Sequence, residues 1–286
     1  IRRCQGYGRG VTPLTRYEHA GLTFDVDDSG GEGDVVILLH GFPQSKSSWH
    51  RVAPVLAEAG YRAPAPAQRG NSPGPPPRPP RDYALAHLVG DVVALADAAG
   101  AQRFHVVGHD WGGAVAWGLG ASQPERVASL ASLSTPHPRA MAASLVRSTQ
   151  LLRSWYMLAF QVPALPERLL SRGGRMRKEL ASYGLPPEQV EESVRLMAGG
   201  AARGALGWYR ALPFGSPSLA ADVTVPALYV YGAEDFALGR KAADLTGSHV
   251  TGPYRYEVLE DVGHWIPELG DRLNPILLEH LAAHPA

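Results

Sequence analysis

The sequence predicts an α/β fold in which a mostly parallel sheet is flanked by helices and carries a helical insertion. Short runs of consecutive apolar, often β-branched residues are typical of strands buried on both faces of a parallel sheet. Segments with helical periodicity alternate with these runs, as in doubly wound sheets. One long stretch, residues 136–221, has helical periodicity throughout and no convincing strand.

Five apolar runs are interpreted as strands, and two segments between them as helices. Residues 87–99 place their apolar side chains on one helix face, and Gly100 is a typical residue to end a helix. Residues 48–60 show a similar pattern. The proline-rich stretch 71–80 is expected to form a surface loop, because proline cannot donate a backbone hydrogen bond. The predicted strands are 35–39, 104–107, 127–133, 227–231 and 256–259.

The helical stretch predicts the domain organisation. Because it lies between two predicted strands, we expect it to form a cap over the sheet edge at which parallel sheets bind ligands. Proline-rich sequences mark both of its boundaries. The expected division is a core of residues 14–135 and 222–286, a helical cap of residues 136–221 and a poorly ordered terminus of residues 1–13. The predicted cap helices are 141–160, 167–183, 187–197 and 204–212.

Charge and composition limit the classes of partner. Lys+Arg and Asp+Glu number 27 each, so the formal net charge is zero and gives no reason to expect nucleic acid or a membrane. The single cysteine, Cys4, excludes an internal disulfide, and we expect neither a metal nor another cofactor. Without a spanning apolar stretch or a secretory signal, we expect a cytoplasmic protein. The strong excess of arginine over lysine favours a bacterial source with GC-rich DNA.

The first candidate for chemistry is the sequence GHDWGG at residues 108–113, directly after a predicted strand. A strand that ends in Gly-x-nucleophile-x-Gly is the sequence form of a nucleophile elbow, a sharp turn from strand to helix. The central residue of such elbows is usually serine, and here it is Asp110. Because the pattern is short, its interpretation depends on whether an oxyanion site and a histidine–acid pair accompany it.

The loop after the first predicted strand supplies the oxyanion site. The backbone N–H groups of Phe42 and of Trp111, the residue after the nucleophile, are predicted to form an oxyanion hole. Gly41 permits close approach of the backbone, and Pro43 rigidifies the loop. We interpret His40 as a residue that shapes this loop and place His40 and Pro43 at the substrate pocket.

A histidine and an acid complete the predicted set. His264 follows the last predicted strand on a glycine-containing loop, and Asp235 follows the strand that ends near Gly232. In that position an acid can orient the imidazole and stabilise its positive charge. Glu234 is the competing acid; we favour Asp235 because it stands three residues after Gly232. The predicted catalytic set is therefore Asp110, Asp235 and His264.

Taken together, these motifs resemble the α/β-hydrolase fold enzymes of the epoxide hydrolase and haloalkane dehalogenase type. The resemblance covers nearly the whole chain from about Arg16 onward. Relatives usually have an acidic residue where Ala67 stands, and we interpret residues 68–70 as loop scaffolding under the pocket. The matching motifs are HGFP at 40–43, QRG at 68–70, GHDWGG at 108–113, PERV at 124–127, STPHP at 134–138 and GH at 263–264.

A carboxylate nucleophile changes the reaction that the elbow can support. Attack on an acyl group would give an anhydride, whereas attack on an sp³ carbon with a leaving group gives an alkyl ester. His264, acting as general base, would then activate water to hydrolyse that ester. The oxyanion hole would stabilise the tetrahedral intermediate of this second step.

The leaving group distinguishes the two enzyme types that the sequence resembles. An opening epoxide becomes an alkoxide that must be protonated, and epoxide hydrolases do this with two cap tyrosines, which Tyr156 and Tyr209 match. A departing halide needs N–H donors, for which Trp111 and Trp155 are candidates. Both tyrosines could instead be packing residues of cap helices. Phe42 also follows the epoxide hydrolase pattern.

We therefore expect an epoxide hydrolase that converts an epoxide and water to a vicinal diol, with a haloalkane dehalogenase as the alternative. Trp155, Trp208 and Trp265 are expected at the substrate pocket. The resemblance implies no cofactor, and the partners are a small-molecule epoxide and water. A homodimer is left open.

Overall fold

The computed structural model describes residues 12–72 and 74–286. The larger of its two sheets has five parallel strands in the order β3-β5-β6-β7-β8, and the smaller has three antiparallel strands in the order β1-β2-β4. A parallel bridge between Val35 and Arg62 joins the two. The strands are β1 (Arg16–His19), β2 (Leu22–Asp28), β3 (Val36–Leu39), β4 (Pro64–Pro66), β5 (Phe104–His109), β6 (Val127–Leu133), β7 (Ala227–Gly232) and β8 (Tyr254–Leu259).

Twelve α-helices accompany these strands in the part of the chain that the structure describes. Between β6 and β7, residues 136–221 form only helices, turns and connecting loops, and we call them the helical segment. The helices are α1 (Ala53–Glu58), α2 (Leu85–Ala98), α3 (Trp111–Ser122), α4 (Pro138–Arg147), α5 (Gln150–Arg153), α6 (Trp155–Ala159), α7 (Leu165–Arg172), α8 (Gly174–Ser182), α9 (Pro187–Leu196), α10 (Ala202–Arg210), α11 (Arg240–Thr246) and α12 (Gly270–Ala282).

Alternation along the strands places one apolar cluster on each face of the parallel sheet. In β3, Ile37 and Leu39 belong to a cluster that includes residues of α2 and α3. Val36 and Leu38 belong to another, which includes residues of α1 and α12. Because both faces are covered, every residue of β3 is buried, which explains why the strand reads as a continuous apolar run. The predicted α/β fold with a parallel sheet is confirmed.

Several predicted helices are shorter than their periodicity indicates. The run 141–160 forms three helices. The first of the two breaks is at Ser148, which is extended and whose hydroxyl accepts a hydrogen bond from the Gln150 N–H at the next helix. The run 167–183 is divided at Gly173, which has a φ of 70°. Near residues 48–60, α1 starts only at Ala53, with Pro54 in its first turn. A capping side chain, a glycine with positive φ and a proline thus interrupt the three apolar patterns.

The three strands of the antiparallel sheet, β1, β2 and β4, were not predicted from the sequence. Strand β2 alternates, with Phe24 and Val26 buried and its remaining residues at least partly exposed. Because polar residues alternate with its apolar ones, this strand is not a continuous apolar run, which was the pattern used to predict strands. The expected poorly ordered terminus, including Cys4, lies outside the described residues up to position 11.

Candidate active site

The nucleophile elbow joins β5 to α3 at Asp110, whose backbone has a φ of 52° and a ψ of −118°. Two glycines permit this turn. A Cβ at Gly108 would lie 2.1 Å from the Gly112 carbonyl oxygen, and a Cβ at Gly112 would lie 2.1 Å from the Leu39 carbonyl oxygen. The Thr135 hydroxyl donates to the Asp110 carbonyl oxygen at 2.7 Å. The strand, helix and nucleophile therefore approach one another more closely than side chains at these glycines would allow.

The two carboxylate oxygens of Asp110 have different surroundings. Oδ1 accepts a hydrogen bond from the Phe42 N–H at 2.8 Å, whereas Oδ2 lies 3.7 Å from His264 Nε2. A Cβ at Gly41 would come within 2.4 Å of the Asp110 Cβ, so a glycine is needed for this approach. Trp111 is the first residue of α3, and its N–H has no acceptor within the helix. Oδ1 thus occupies the predicted oxyanion site, and Oδ2 faces the imidazole.

Asp235 is the acid that contacts His264. Its Oδ2 lies 2.7 Å from His264 Nδ1, and its Oδ1 accepts from the N–H groups of Ala237 and Leu238 at 2.8 and 2.9 Å. Both Asp235 and His264 are buried, whereas Glu234 is exposed. The structure therefore brings Asp110, His264 and Asp235 together and leaves Glu234 outside.

The charges in this group are coupled. Burial opposes protonation of His264, but the carboxylates of Asp235 and Asp110 outweigh it and raise the pKa of His264 to about 10. Burial likewise opposes ionisation of Asp110, but the adjacent His264 and the Phe42 N–H lower the pKa of Asp110 below its ordinary value. Two carboxylates and one imidazole are consequently arranged so that the imidazole carries a proton while Asp110 is ionised.

Two residues without a predicted role hold the His264 backbone, and a third holds one of those two. The His264 carbonyl oxygen accepts from His109 Nε2 and from the Ser134 hydroxyl, each at 2.9 Å. Burial lowers the pKa of His109 to about 4, so its ring is neutral. The Tyr229 hydroxyl donates to the Ser134 carbonyl oxygen at 2.8 Å, and Ser134 has a φ of 67°. The only sequence feature that could have indicated these contacts is weak: polar side chains lie in or directly after buried strands.

Tyr156 and Tyr209 are brought together by aromatic packing on the helical segment. Their ring centroids are 6.0 Å apart, and both rings pack edge to face against Phe160. Tyr209 also packs against Trp111 at 5.1 Å and against Phe42 at 5.4 Å. Because Phe42 and Trp111 flank the Asp110 carboxylate, this cluster places both phenols beside the elbow.

The pKa values of both phenols also reflect their proximity to Asp110. Burial, followed by the charge of Asp110, raises the pKa of Tyr156 and of Tyr209 above the ordinary value for tyrosine. Both phenols therefore carry their protons while Asp110 is ionised. Neutralising Asp110 removes one of the causes that hold these protons.

Two predicted pocket residues, Trp155 and His40, differ in their exposure. Trp155 is 62% exposed, so most of its side chain faces solvent, and its place at the pocket stays a prediction. His40 is fully buried behind the loop: its Nδ1 donates to the Gly41 carbonyl oxygen and its Nε2 accepts from the Gln68 N–H, both at 3.1 Å. Burial lowers the pKa of His40 to about 4 and keeps it neutral. His40 shapes the loop, as first interpreted, and does not line the pocket.

The remaining predicted pocket residues are buried around the site. Trp208 donates its indole N–H to the Arg69 carbonyl oxygen at 2.8 Å and packs 6.0 Å from the Trp111 ring, one layer behind the elbow. Trp265 packs 5.0 Å from the His264 ring. Pro43 is buried and follows a cis peptide bond.

The residues that the structure describes show neither a metal-binding cluster nor a helix that could span a membrane. None of their His, Cys, Asp and Glu side chains form a group of three or more that could hold a metal ion. No helix there has both the length and the hydropathy that crossing a membrane requires.

With the fold and the site in place, comparison with known proteins identifies the family. The profile of the alpha/beta hydrolase fold family matches residues 34–271, and the chain belongs to this family. The AB hydrolase superfamily protein YfhM of Bacillus subtilis is 34% identical, over 91% of this chain and 95% of the relative. Epoxide hydrolase A of Mycobacterium tuberculosis is 30% identical, over 91% of this chain and 94% of the relative.

A solved structure shows the same similarity in three dimensions. The crystal structure of epoxide hydrolase A from Mycobacterium thermoresistibile superimposes with a TM-score of 0.82 at 27% identity. The superposition covers 96% of this chain and 99% of that structure. Relatives named as epoxide hydrolases thus share both the sequence pattern and the fold.

Proposed function

We propose that this chain is an epoxide hydrolase that forms a covalent alkyl ester on Asp110. The observation that carries the proposal is the asymmetry of the Asp110 carboxylate beside two phenols. Oδ1 is held by the Phe42 N–H, whereas Oδ2 is free to attack. The similarity to proteins named as epoxide hydrolases supports the same reaction class. The helical segment would act as the cap that covers the bound epoxide.

In the first step, Asp110 Oδ2 attacks an epoxide carbon and the carbon–oxygen bond of the ring breaks. The electron pair of that bond goes to the epoxide oxygen, which takes a proton from Tyr156 or Tyr209. Loss of the Asp110 charge removes one cause of the raised phenol pKa values, so proton donation becomes easier as the ester forms. Oδ1 becomes the ester carbonyl oxygen, already hydrogen-bonded to the Phe42 N–H.

In the second step, water hydrolyses the ester. Esterification removes the Asp110 charge, which contributes to the raised pKa of His264, so the imidazole gives up its proton, which passes to the tyrosine phenolate and restores the phenol. Neutral His264 Nε2 then takes a proton from water as the water oxygen bonds to the Asp110 Cγ. The bond from Cγ to Oδ2 breaks, and the remaining water proton passes to the diol oxygen. Asp110 is again ionised beside protonated His264.

The structure offers little for halide release. The dehalogenase alternative needs a second N–H donor besides Trp111, and Trp155, the candidate for that role, points largely into solvent. Two phenols beside Asp110 are instead suited to protonating an alkoxide. The halide reaction is therefore kept only as an outcome of the test.

The test is the intact mass of the His264→Gln protein after incubation with epoxides and with chloro- or bromoalkanes. We expect a gain equal to the whole epoxide, because the ester forms but is not hydrolysed. Asp110→Ala/His264→Gln is the matched control and should show no gain. A gain of an alkyl group without its halogen would assign a dehalogenase. No covalent adduct with any epoxide that the wild-type protein consumes would overturn the two-step scheme.

A further inference from the structure

The exposed apolar side chains of this molecule are unevenly distributed. Among the described residues, every large apolar side chain that is exposed lies in the helical segment, and eight of them fall within residues 146–169. Six on the consecutive helices α5, α6 and α7 are 46% to 73% exposed, and we call them the apolar face: Leu151, Leu152, Trp155, Leu158, Leu165 and Leu169. These six side chains lie within residues 151–169, and exposed apolar side chains that form a patch usually mark a surface that contacts a partner.

The same part of the chain has a strong positive charge. Between Pro138 and Ser182 the sequence has eight basic and two acidic residues, which leaves 19 basic and 25 acidic residues for the rest of the chain. One of the two acids, Glu167, is paired with Arg210 at 2.5 Å. Arg147, Arg168 and Arg172 are exposed and form no salt bridge with any residue that the structure describes. The zero net charge of the whole chain is therefore the sum of a positive segment, residues 138–182, and a remainder in which acidic residues outnumber basic ones.

Helix α6 connects the apolar face to the candidate active site. Its Tyr156 packs against Phe160 and Tyr209 beside the elbow. Trp155 and Leu158, on the same helix, are 62% and 72% exposed. In an α-helix, successive side chains differ by about 100° in direction, so Trp155 and Leu158 leave the helix on sides other than that of Tyr156. One short helix thus separates the surface from the phenols.

We propose that the apolar face and its surrounding arginines dock on an anionic lipid bilayer surface. Leucine and tryptophan side chains among arginines are the composition of peptide surfaces that lie in the boundary between headgroups and acyl chains. Charge complementarity selects this occupant: each basic residue near an anionic leaflet strengthens binding. A second copy of this chain would instead bring a positive region against an identical one. This docking does not rest on the proposed function.

If the epoxide hydrolase activity holds, docking would favour a bilayer-dissolved, apolar epoxide as substrate, because α6 would lie between the lipid and the site. The expectation that no membrane takes part came from the net charge of the whole chain. That expectation does not hold for residues 138–182, because this segment is positively charged although the whole chain is neutral. The docking is peripheral and requires no spanning helix.

The experiment is co-sedimentation of the full chain with phosphatidylcholine vesicles and with mixed phosphatidylcholine–phosphatidylglycerol vesicles. One variant, Leu152→Gln/Leu158→Gln/Leu169→Gln, alters the apolar face, and another, Arg147→Gln/Arg168→Gln/Arg172→Gln, alters its charge. The matched control, Arg78→Gln/Arg81→Gln/Arg103→Gln, removes the same charge from exposed residues outside the helical segment. Thermal unfolding checks that each variant is folded, and the salt dependence of wild-type binding needs no variant.

We expect the wild type and the control to bind the mixed vesicles, with binding that weakens as salt is raised. The arginine variant should lose about 100-fold in partition coefficient, and the leucine variant a similar amount. Absence of binding to mixed vesicles, or equal binding to both vesicle types, would overturn the proposal. So would a wild-type dimer in solution that the leucine variant dissociates, because the apolar face would then be covered by a second copy.

Discussion

The sheet and the helical segment hold their candidate active-site residues in different ways. On the sheet side, Asp110 and Asp235 accept backbone N–H hydrogen bonds, and the His264 carbonyl accepts two side-chain donors. On the helical segment, Tyr156 and Tyr209 are placed by ring packing. Hydrogen bonds fix direction as well as distance, whereas ring contacts tolerate small shifts. We therefore expect the substitution of a sheet-side charged residue, Asp235, to cost far more activity than the substitution of either tyrosine.

Among variants that keep the Asp110 nucleophile, the largest effect is expected from Asp235→Asn, which removes the charge facing His264 Nδ1 at 2.7 Å. An amide can favour the wrong tautomer of the imidazole and cannot stabilise its positive charge, so kcat should fall by about 10⁴-fold. Steady-state kinetics with an accepted epoxide measures this. Glu234→Gln, one residue away and exposed, is the matched control and should retain activity. Equal losses in both variants would mean that the acid is not Asp235.

A second test probes the charge coupling on the sheet side. Asp110→Asn removes a negative charge that helps raise the pKa of His264 to about 10. Because a nearby negative charge stabilises the imidazolium, its loss should lower the His264 pKa toward its ordinary value of about 6.5. NMR titration of the His264 ring in the two proteins measures the difference, and Glu234→Gln should leave it unchanged. An unaltered His264 pKa would contradict the proposed release of its proton on ester formation.

On the helical segment, Tyr156→Phe and Tyr209→Phe should each slow formation of the ester. One proton donor remains in each variant, so we expect the rate of ester formation to fall by about 10- to 100-fold. This is no more than the smallest contribution usual for general acid catalysis, about 10²-fold. Single-turnover measurements separate this step from ester hydrolysis. Tyr183→Phe is the control: this tyrosine is on the same segment but 44% exposed and stacked on Phe236. If ester hydrolysis slowed as much as ester formation, we would conclude that Tyr156 and Tyr209 pack the helical segment and do not donate the proton.

The sequence alone predicted the parts of the site that motifs specify locally. A strand that ends in a glycine-rich turn places Asp110, and chain order places Asp235 and His264 after later strands, so their meeting follows from the parallel sheet. The continuous apolar run at residues 35–39 likewise predicted that both faces of β3 are buried. These features depend on neighbours within a few residues or on the topology of the sheet.

Contacts between distant residues could not be predicted in the same way. Trp155 stands next to Tyr156 in the sequence, yet the direction of each side chain depends on where α6 begins and how it packs. His109 and Ser134 donate to the His264 carbonyl oxygen, and Tyr229 donates to the Ser134 carbonyl oxygen. These residues lie in β5, directly after β6 and in β7, and only the folded sheet brings them together. The extended Ser148 that divides α4 from α5 is a side-chain effect that periodicity does not register.

The smallest expected effect concerns one of these unpredicted contacts. Ser134→Ala removes one of the two donors to the His264 carbonyl oxygen and leaves His109 as the other. Loss of one buried hydrogen bond should lower the free energy of unfolding by about 1 kcal/mol. If the contact also positions His264, ester hydrolysis should slow by about 5-fold while ester formation changes less.

Ser129→Ala is the matched control for this last change. Its buried hydroxyl bonds His105 Nδ1 at 2.8 Å, near the start of β5 and away from the elbow. Both variants lose a comparable buried hydrogen bond, so their unfolding free energies should fall together, as denaturant titration can show. Only Ser134→Ala should alter the hydrolysis rate. Equal rates in the two variants would mean that Ser134 stabilises the fold without positioning His264, and that the His109 hydrogen bond suffices to orient the imidazole.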